Sequence, residues 1–588
     1  MSKRLEEQPF SHPDIHSSVE DVTPRLEQAS SRWLLFLGIV SFLSCLLTYL
    51  MRLDRVVGLF VDDAWYVMLA KALATNNSYS LINAPTPGIT PLYPPFFPFL
   101  LSLLYRLAPN FPDNIWLLKS LSVASMFVAG GLAYVYFQRE QNLKPLAALG
   151  IAVAMVLSPP LVFLATSTVM SECAFTAIFL GTILVVERGV RKIKDKEKKA
   201  QWVYPILFGM GGTLCFLTRS AAIGVIAAIF IYLILEDLRK PALIFIATVI
   251  LLGSPWVIYA RLHAPTPEQW NEQAGHIVED YSKQFWQRQA GNIQSGRIEA
   301  TELPERIWKN IKDVALRDLL RVTAAPLYET FRSFQAAEAW RQQDGYEAPG
   351  GATAFMSLIV TVFLLTGFIR SVREKITVAE LSVAFSFGIM LLWPWEPFRF
   401  MLPLTALLIL YILRGAEVAI HAHKKLRQVP SALSNSAVTF VVLGCILSIS
   451  LYGNANYLIK KFSKSPVDQP PWISTFQENE KLFLWARDNL PQDEIISTSN
   501  PGLVYLYTGH KTVAFHDPAG NWEMWKKMNV RYLVRTSSFI LPPPESVPEE
   551  RGLKVIYRQP GILNLRITDF GPAANRGSWG VLNSPQRD

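Results

Sequence analysis

Charge is scarce in this sequence. Asp, Glu, Lys and Arg make up 18% of the 588 residues, and 51% of the residues are hydrophobic, whereas soluble proteins carry about a quarter charged residues. So few charges over a chain of this length exclude intrinsic disorder and argue against a row of soluble domains. The composition instead indicates a membrane protein.

Cysteine is also scarce, and so are the usual signatures of soluble enzymes. The four cysteines, Cys45, Cys173, Cys215 and Cys445, each lie in an apolar run, and no pair has metal-site spacing. The polar segments contain no nucleophile elbow, no glycine-rich phosphate loop and no pair of metal ligands. These absences exclude a disulfide scaffold and give no support to nucleotide binding.

Long apolar runs are what the sequence has in quantity. A spanning helix needs about 20 mostly apolar residues, and no small-residue cleavage site closes the first run, which is therefore expected to be an uncleaved anchor. The sequence predicts an all-α polytopic membrane domain of about 11 transmembrane helices. They are expected at 33–51, 115–137, 145–164, 168–187, 203–218, 220–236, 241–260, 351–369, 376–393, 398–413 and 436–453.

The basic residues set the expected orientation. With residues 1–32 as a cytoplasmic tail, the five short inside loops carry 18 Lys and Arg, whereas the outside turns 165–167 and 394–397 carry none. The net charge of +9 therefore marks topology and does not predict nucleic-acid binding. Within the membrane domain, 33–454, the long external loops are expected at 53–114 and 261–350, followed by an extracytoplasmic domain at 455–588.

The external segments have their own patterns. Apolar residues recur at helical spacing over 61–73, which predicts an interfacial helix with one apolar face, and 96–107 predicts a second interfacial or re-entrant helix. The loop 261–350 is aromatic, with helical patches around 278–290 and 304–321.

The pattern of the C-terminal segment predicts a small α/β domain that supports or recognises an acceptor. Its expected helices are 478–489, 501–507 and 521–528, and its expected strands 494–498, 511–515, 530–536, 553–558 and 562–568.

A few charges lie at the ends of predicted spans, and all fall on the external side. Charges inside a membrane are costly and are functional by default. Simpler roles stay open, since the aspartates could cap a helix, Glu172 could pair for packing, the arginines could reach lipid headgroups, and Glu396 could be a plain loop residue. The charges are Asp62, Asp63, Glu172, Arg219, Glu396 and Arg399.

Carboxylates beside arginines at an outer membrane face suit one reaction well. A sugar carried on a lipid phosphate has an anionic leaving group, which Arg219 and Arg399 could hold by charge-assisted contacts. A carboxylate could accept the proton of an incoming hydroxyl as general base. The catalytic candidates are Asp62, Asp63 and Glu172. A transporter or flippase and a non-enzymatic scaffold with an external binding domain are the alternatives.

The order of several motifs resembles a family, the bacterial multi-spanning glycosyltransferases of the GT-C fold, related to protein O-mannosyltransferases and the lipid A aminoarabinose transferase. The similarity covers residues 33 to about 535. The motifs are DDAWYVMLAKAL from residue 62, LYPP leading into FFPFLLSLLYRL, SEC, LTRS, SPWVIYARL, FRFMLPL and, in the C-terminal segment, WARDNLPQDEIISTSNPGLVYLYTGHKTVAF.

The resemblance implies inverting transfer from a polyprenyl-phosphate sugar to a lipid, glycan or protein acceptor, in a bacterial inner membrane. The family's proposed base falls on Asp62 and its second-loop acidic residue on Glu172. Many relatives have Asp-Glu where this chain has Asp62-Asp63, and a proline where it has Ser220. Some relatives bind a divalent metal near the leaving phosphate, but this sequence has no distinctive ligand spacing, so a divalent cation is possible and no metal ligand is assigned.

Overall fold

The computed structural model describes residues 23–86, 93–264, 266, 281–289, 292–331, 351–427, 435–465, 469–514, 525–536, 554–561 and 565–571. About 74% of the structure is helical. Contacts divide the chain into two units, Met1–Thr48 and Tyr49–Asp588, and all the contacts described below lie within the second unit.

Helices make up most of the described chain. They are, in chain order, α1 (Thr23–Arg52), α2 (Asp62–Thr75), α3 (Phe96–Leu107), α4 (Ile115–Arg139), α5 (Pro145–Val156), α6 (Pro159–Ser167), α7 (Glu172–Lys194), α8 (Ala200–Thr218), α9 (Ile223–Leu235), α10 (Arg239–Leu262), α11 (Tyr281–Phe285), α12 (Leu303–Asp313), α13 (Leu319–Thr323), α14 (Ala325–Phe331), α15 (Gly351–Glu374), α16 (Val378–Leu392), α17 (Phe398–Met401), α18 (Thr405–Arg427), α19 (Asn435–Lys461), α20 (Pro471–Asn489) and α21 (Pro501–Thr508).

All eleven predicted spans are helical, and the chain is a multi-pass membrane protein. Within the described residues, eight helical stretches are long and apolar enough to cross a membrane, or nine if α5 and α6 are one bent span. Those two helices meet at 49°, because Pro159 and Pro160 cannot continue the preceding helix. Ser220–Leu235 and Val378–Leu392 are apolar but shorter than a full span. With these two shorter helices, the apolar helices match the eleven expected positions, and the predicted polytopic helical fold is confirmed.

The first long loop departs from its prediction at α2. The expected helix is present, but it is buried around almost its whole circumference, including Trp65, Val67, Met68 and Ala70. Helix α3 and the C-terminal helix α21 both pack against it. The prediction of one apolar face lying in the interface is therefore wrong, because tertiary contacts cover the opposite face as well.

Helix α3 fits an interfacial position better. It buries Phe97, Leu101 and Tyr105, while a second apolar stripe stays exposed. That stripe consists of Phe99, Leu103 and Leu107, at the i, i+4 spacing that puts side chains on one helix face.

The second long loop is only partly helical. Of the predicted helical patch 278–290, only α11 is helical among the described residues. Strand β1 (Gln287–Gln289) follows it and pairs with β2 (Asn292–Arg297), which lies just beyond the patch. The predicted patch 304–321 is confirmed as α12, which continues through a π-helical turn at Val314–Asp318 into α13.

The predicted small α/β fold of the C-terminal segment is confirmed. Its strands are β3 (Ile495–Thr498), β4 (Thr512–Ala514), β5 (Val530–Arg535), β6 (Lys554–Arg558) and β7 (Arg566–Asp569), in the sheet order β4-β3-β5-β7-β6. Strand β3 runs parallel to β4 and β5, whereas β7 runs antiparallel to β5 and β6. Of the predicted helix 521–528, residues 521–524 lie outside the described residues, and residues 525–527 are helical.

Candidate active site

Four of the predicted site residues meet in one ionic cluster. The Arg399 guanidinium lies between two carboxylates, with Nη2 at 3.3 Å from Asp62 Oδ2 and 3.0 Å from Glu172 Oε1. Its Nε also donates to Glu172 Oε1, at 3.1 Å. Arg219 Nη1 approaches the same Glu172 oxygen from another direction, at 2.9 Å. Two carboxylates and two guanidinium groups therefore share one charge-balanced site.

Helix ends supply three of these charges. Asp62 and Glu172 are the first residues of α2 and α7, where the helix dipole favours a negative charge. Arg219 is the residue after the last turn of α8, where the dipole favours a positive charge. Arg399 comes from the short helix α17. The sequence thus places these three charges at favourable local positions, and the tertiary fold joins them to Arg399.

Hydroxyl groups extend the cluster. The Tyr93 hydroxyl donates to Asp62 Oδ1 at 2.9 Å, and Arg219 Nη1 donates to Ser171 Oγ at 3.3 Å. Tyr66 shares a 3.3 Å hydrogen bond with that serine, and its ring packs edge-on against Tyr93. Tyr93 stands in the LYPP motif but was not among the sequence candidates. It becomes visible as a site residue only once α2 and the start of α3 are folded together.

Exposure differs sharply within the cluster. The Glu172 side chain is fully buried, whereas the side chains of Arg219, Arg399 and Asp62 are 12%, 24% and 29% exposed. The second Glu172 oxygen, Oε2, has no hydrogen-bond partner among the described residues. A molecule that enters the site can therefore reach Asp62 and the arginines, while Glu172 lies behind them.

Asp63 faces away from this cluster. Its buried carboxylate accepts hydrogen bonds from the Gly58 and Phe60 amides, at 2.7 and 3.2 Å, and so closes the turn that precedes α2. Burial raises the pKa of Asp63 to about 6, although those two amides oppose the shift. The structure therefore separates the two adjacent aspartates, with Asp62 in the cluster and Asp63 in the turn.

Glu396 lies in a different group of charges. Its nearest cation is Arg321, whose Nη1 is 3.9 Å from Glu396 Oε2, and the glutamate side chain is 46% exposed. Arg321 also lies over the Phe398 ring at 3.8 Å. Glu396 thus borders the turn that leads to Arg399 without belonging to the cluster.

A buried ion pair was missing from the sequence candidates. Lys119, near the start of α4, places Nζ 2.8 Å from Asp54 Oδ1 and also donates to the Thr166 carbonyl. Ser167 donates to the other Asp54 oxygen, at 2.6 Å. A lone lysine inside an apolar run is the signal that could have revealed it. This pair fixes the beginning of the first loop to the helix bundle.

An apolar groove lies close to the cluster. Its open volume is about 400 Å³, and it runs between α8, α10 and the first loop. Leu217 in its wall is two residues before Arg219, and the Tyr79 hydroxyl in its wall donates to the Tyr93 carbonyl at 2.8 Å. The lining residues are Tyr79, Pro95, Leu217, Leu252, Pro255, Trp256 and Tyr259.

Solved structures share this arrangement of helices. The crystal structure of ArnT from Cupriavidus metallidurans bound to undecaprenyl phosphate matches with a TM-score of 0.54 and 12% identity, over 90% of this chain and 97% of that one. The fold is that of the GT-C glycosyltransferases. The apo oligosaccharyltransferase from Archaeoglobus fulgidus matches with a TM-score of 0.49 and 13% identity, over 85% of this chain and 69% of that one.

Sequence comparison adds no closer relative. No protein-family model matches the chain, and no curated protein matches it either. The likeness to the GT-C structures is therefore one of fold, and the chemistry of this chain has to be argued from its own residues.

The described site offers few ligands for the divalent cation that the GT-C resemblance implies as possible. Among the described residues, no three His, Cys, Asp or Glu side chains lie close enough together to hold a metal ion. Asp62 and Glu172 are the carboxylates of the cluster, and both are already paired with Arg399. These described residues therefore do not fit a divalent metal.

Proposed function

We propose that this protein transfers a sugar from a polyprenyl-phosphate-linked donor to an acceptor hydroxyl at the outer face of the membrane, with inversion at the anomeric carbon. The observation that carries the proposal is the cluster in which a partly exposed aspartate, Asp62, lies beside two partly exposed arginines. It combines a base for the acceptor with positive charge for a phosphate.

Asp62 is the proposed general base. Arg399 and the Tyr93 hydroxyl each donate to one of its oxygens, and these two contacts fix the orientation of the carboxylate. The side chain is also partly open, so an acceptor hydroxyl can reach it. General-base catalysis at such a group contributes typically about 10²–10⁴-fold to the rate.

The proposed reaction is a single displacement. The acceptor oxygen attacks the anomeric carbon while its proton moves to Asp62, and the bond from that carbon to the phosphate oxygen breaks on the opposite side. Polyprenyl phosphate leaves with one more negative charge, which Arg219 and Arg399 would stabilise. Because a protonated Asp62 attracts Arg399 less strongly, the guanidinium charge becomes available as the leaving group needs it.

Glu172 and Asp63 fit positioning roles better than catalytic ones. Glu172 contacts both arginines from a fully buried position, so it would hold their guanidinium groups in place for the phosphate. Asp63 accepts two backbone hydrogen bonds within the turn before α2 and would therefore hold Asp62 at the start of the helix.

The groove beside the cluster supports a lipid-linked donor. Its walls are apolar and aromatic, which suits the isoprenoid units nearest the phosphate, and it ends near Arg219. In the ArnT structure of the same fold, the bound molecule is undecaprenyl phosphate. We infer the same class of carrier lipid for this chain, whereas the acceptor is inferred only as a lipid, glycan or protein hydroxyl.

The membrane arrangement is part of the proposal. The Lys and Arg distribution supports a cytoplasmic N-terminal tail at 1–32, a membrane domain at 33–454 and an extracytoplasmic domain at 455–588, in a bacterial inner membrane. Helix α19 continues to Lys461, so the last span would lead directly into that domain. The ionic cluster would then face the outer leaflet.

The test is donor cleavage by the purified protein in lipid nanodiscs. A panel of polyprenyl-phosphate sugars is supplied with a cell-envelope extract as acceptor, and released polyprenyl phosphate is measured in a single turnover. We expect one donor to be consumed by the wild type and Asp62→Asn to react at least about 10²-fold more slowly. Normal folding of that variant is expected, because Asn keeps the shape of the side chain and the Asp62–Arg399 pair that it breaks is partly exposed. Equal rates for the two proteins would refute the assignment of the base.

A further inference from the structure

The turn that leads into Asp62 has an unusual backbone. Val61, the residue before it, has φ +64° and ψ −47°, a positive-φ conformation that is rare for a β-branched residue. Gly58 begins the turn with φ +88°. A positive φ is costly at a non-glycine residue and persists only where surrounding contacts enforce it. The contacts that hold this turn therefore also fix where Asp62 points.

One of those contacts comes from the C-terminal segment, more than 400 residues away in sequence. The buried side chain of Asn500 donates from Nδ2 to the Gly58 carbonyl, at 3.0 Å. Its other atom, Oδ1, accepts from the Leu503 amide and caps α21. A Cβ added to Gly58 would lie 2.6 Å from a Leu503 methyl carbon. The start of α21 is thus built against this turn.

We infer that Asn500 is a positioning residue for Asp62. The C-terminal segment would then complete the turn of the active site, in addition to any acceptor site that it forms. The inference rests on the proposed function of Asp62 as base. The Asp63 carboxylate accepts a hydrogen bond from the Gly58 amide, so both backbone polar groups of Gly58 are held, one by Asp63 and the other by Asn500. These contacts keep Val61 in its strained conformation and Asp62 within reach of Arg399 and Tyr93.

Other contacts between these segments do not touch the turn and provide the control. Asn83, later in the first loop, donates from Nδ2 to the Thr512 hydroxyl at 3.1 Å, and its carbonyl accepts from the Thr512 amide at 2.8 Å. Asn83 is as buried as Asn500. Removing its amide should weaken the same interface without moving Asp62.

The test compares Asn500→Asp and Asn500→Ala with Asn83→Ala. Asn500→Asp keeps an oxygen to cap α21, since Asp and Asn cap equally well, but loses the donor to Gly58. We expect both Asn500 variants to lower kcat by about 10- to 100-fold, the effect of a displacement of about 1 Å. KM for the donor should stay within about twofold, because the arginines and the groove are untouched. Asn83→Ala should keep kcat within about twofold.

A second readout does not depend on activity. Hydrogen exchange of peptides covering residues 56–66, followed by mass spectrometry, should be faster in both Asn500 variants and unchanged in Asn83→Ala. Unchanged exchange or an unchanged kcat in Asn500→Asp would overturn the inference. A third outcome is that the wild type consumes no polyprenyl-phosphate sugar while hydrogen exchange changes as expected. In that case the proposed function is refuted, and Asp62 is not a base that needs positioning. The contact by which Asn500 stabilises the turn would still be confirmed.

Discussion

Replacing Glu172 with glutamine separates positioning from catalysis at the ionic cluster. Glu172 makes three contacts of 2.9–3.1 Å with Arg219 and Arg399 and has no exposed side-chain area. The substitution keeps the shape of the side chain but removes its charge. Two guanidinium groups then share the single carboxylate of Asp62, and the cluster changes from neutral to a net charge of +1.

The expected loss of stability follows from burial. Removing one partner of a buried ion pair costs about 3–5 kcal/mol, and the partial exposure of both arginines favours the lower end, about 3 kcal/mol. Because both arginines lose their anchor, kcat/KM should also fall by about 10- to 100-fold. Asp62→Asn should show the opposite pattern. Its free energy of unfolding should fall by less than about 1 kcal/mol, because the Asp62–Arg399 pair is partly exposed. Its transfer rate should fall by at least about 10²-fold.

The assay measures denaturant-induced unfolding and single-turnover transfer on the same nanodisc preparations. Glu396→Gln is the matched control, because it neutralises a glutamate near an arginine at a half-exposed position outside the cluster. It should change stability by less than about 1 kcal/mol and leave the rate unaltered. If Glu172→Gln is as stable as the wild type yet inactive, Glu172 acts directly on the reactants, and the positioning role is refuted.

Other expected outcomes test the surrounding features. Stability should rise as the pH falls from about 7 toward 4, because the buried Asp63 takes up its proton at about pH 6, before the same group in the unfolded chain with its ordinary pKa of 3.8; unfolding midpoints of Asp63→Asn should lack this rise. Lys119→Met should lower the free energy of unfolding by about 3–5 kcal/mol, because it leaves Asp54 buried without its cation, and adding Asp54→Asn should restore part of the loss in the same denaturation assay. Trp256→Ala should raise KM for a long-chain donor by up to about tenfold, corresponding to about 1.4 kcal/mol, with kcat unchanged; an equal effect on a donor with a very short lipid would contradict the lipid role of the groove. Treatment with a chelator should leave the transfer rate unchanged if the arginines supply the positive charge, and a loss restored by Mg²⁺ or Mn²⁺ would contradict that expectation.

The sequence alone determined the features that depend on local free energies. The eleven apolar helices could be located from runs of apolar residues, which favour transfer into lipid, and from the helical period. The five strands of the C-terminal sheet could be located from their strand patterning. The same local logic put Asp62, Glu172 and Arg219 at helix ends on one predicted side of the membrane. The bend between α5 and α6 lies at Pro159 and Pro160, a pair of prolines that the sequence also shows.

Only the tertiary structure decided which of these groups meet. Arg399 contacts Asp62 across 337 residues of sequence, and such a pairing depends on how helices pack rather than on any local preference. The burial of α2 between α3 and α21 also depends on helix packing. Because of it, α2 does not lie at the membrane interface with one apolar face, as the sequence predicted. Asp62 and Asp63 look equivalent in the sequence, but the positive φ of Val61 separates them, so that Asp62 lies beside Arg399 and Asp63 accepts hydrogen bonds from the backbone. The turn is held by the local Asp63 and by the distant Asn500, and the distant contact depends on the tertiary fold, so a local pattern could not have predicted the turn.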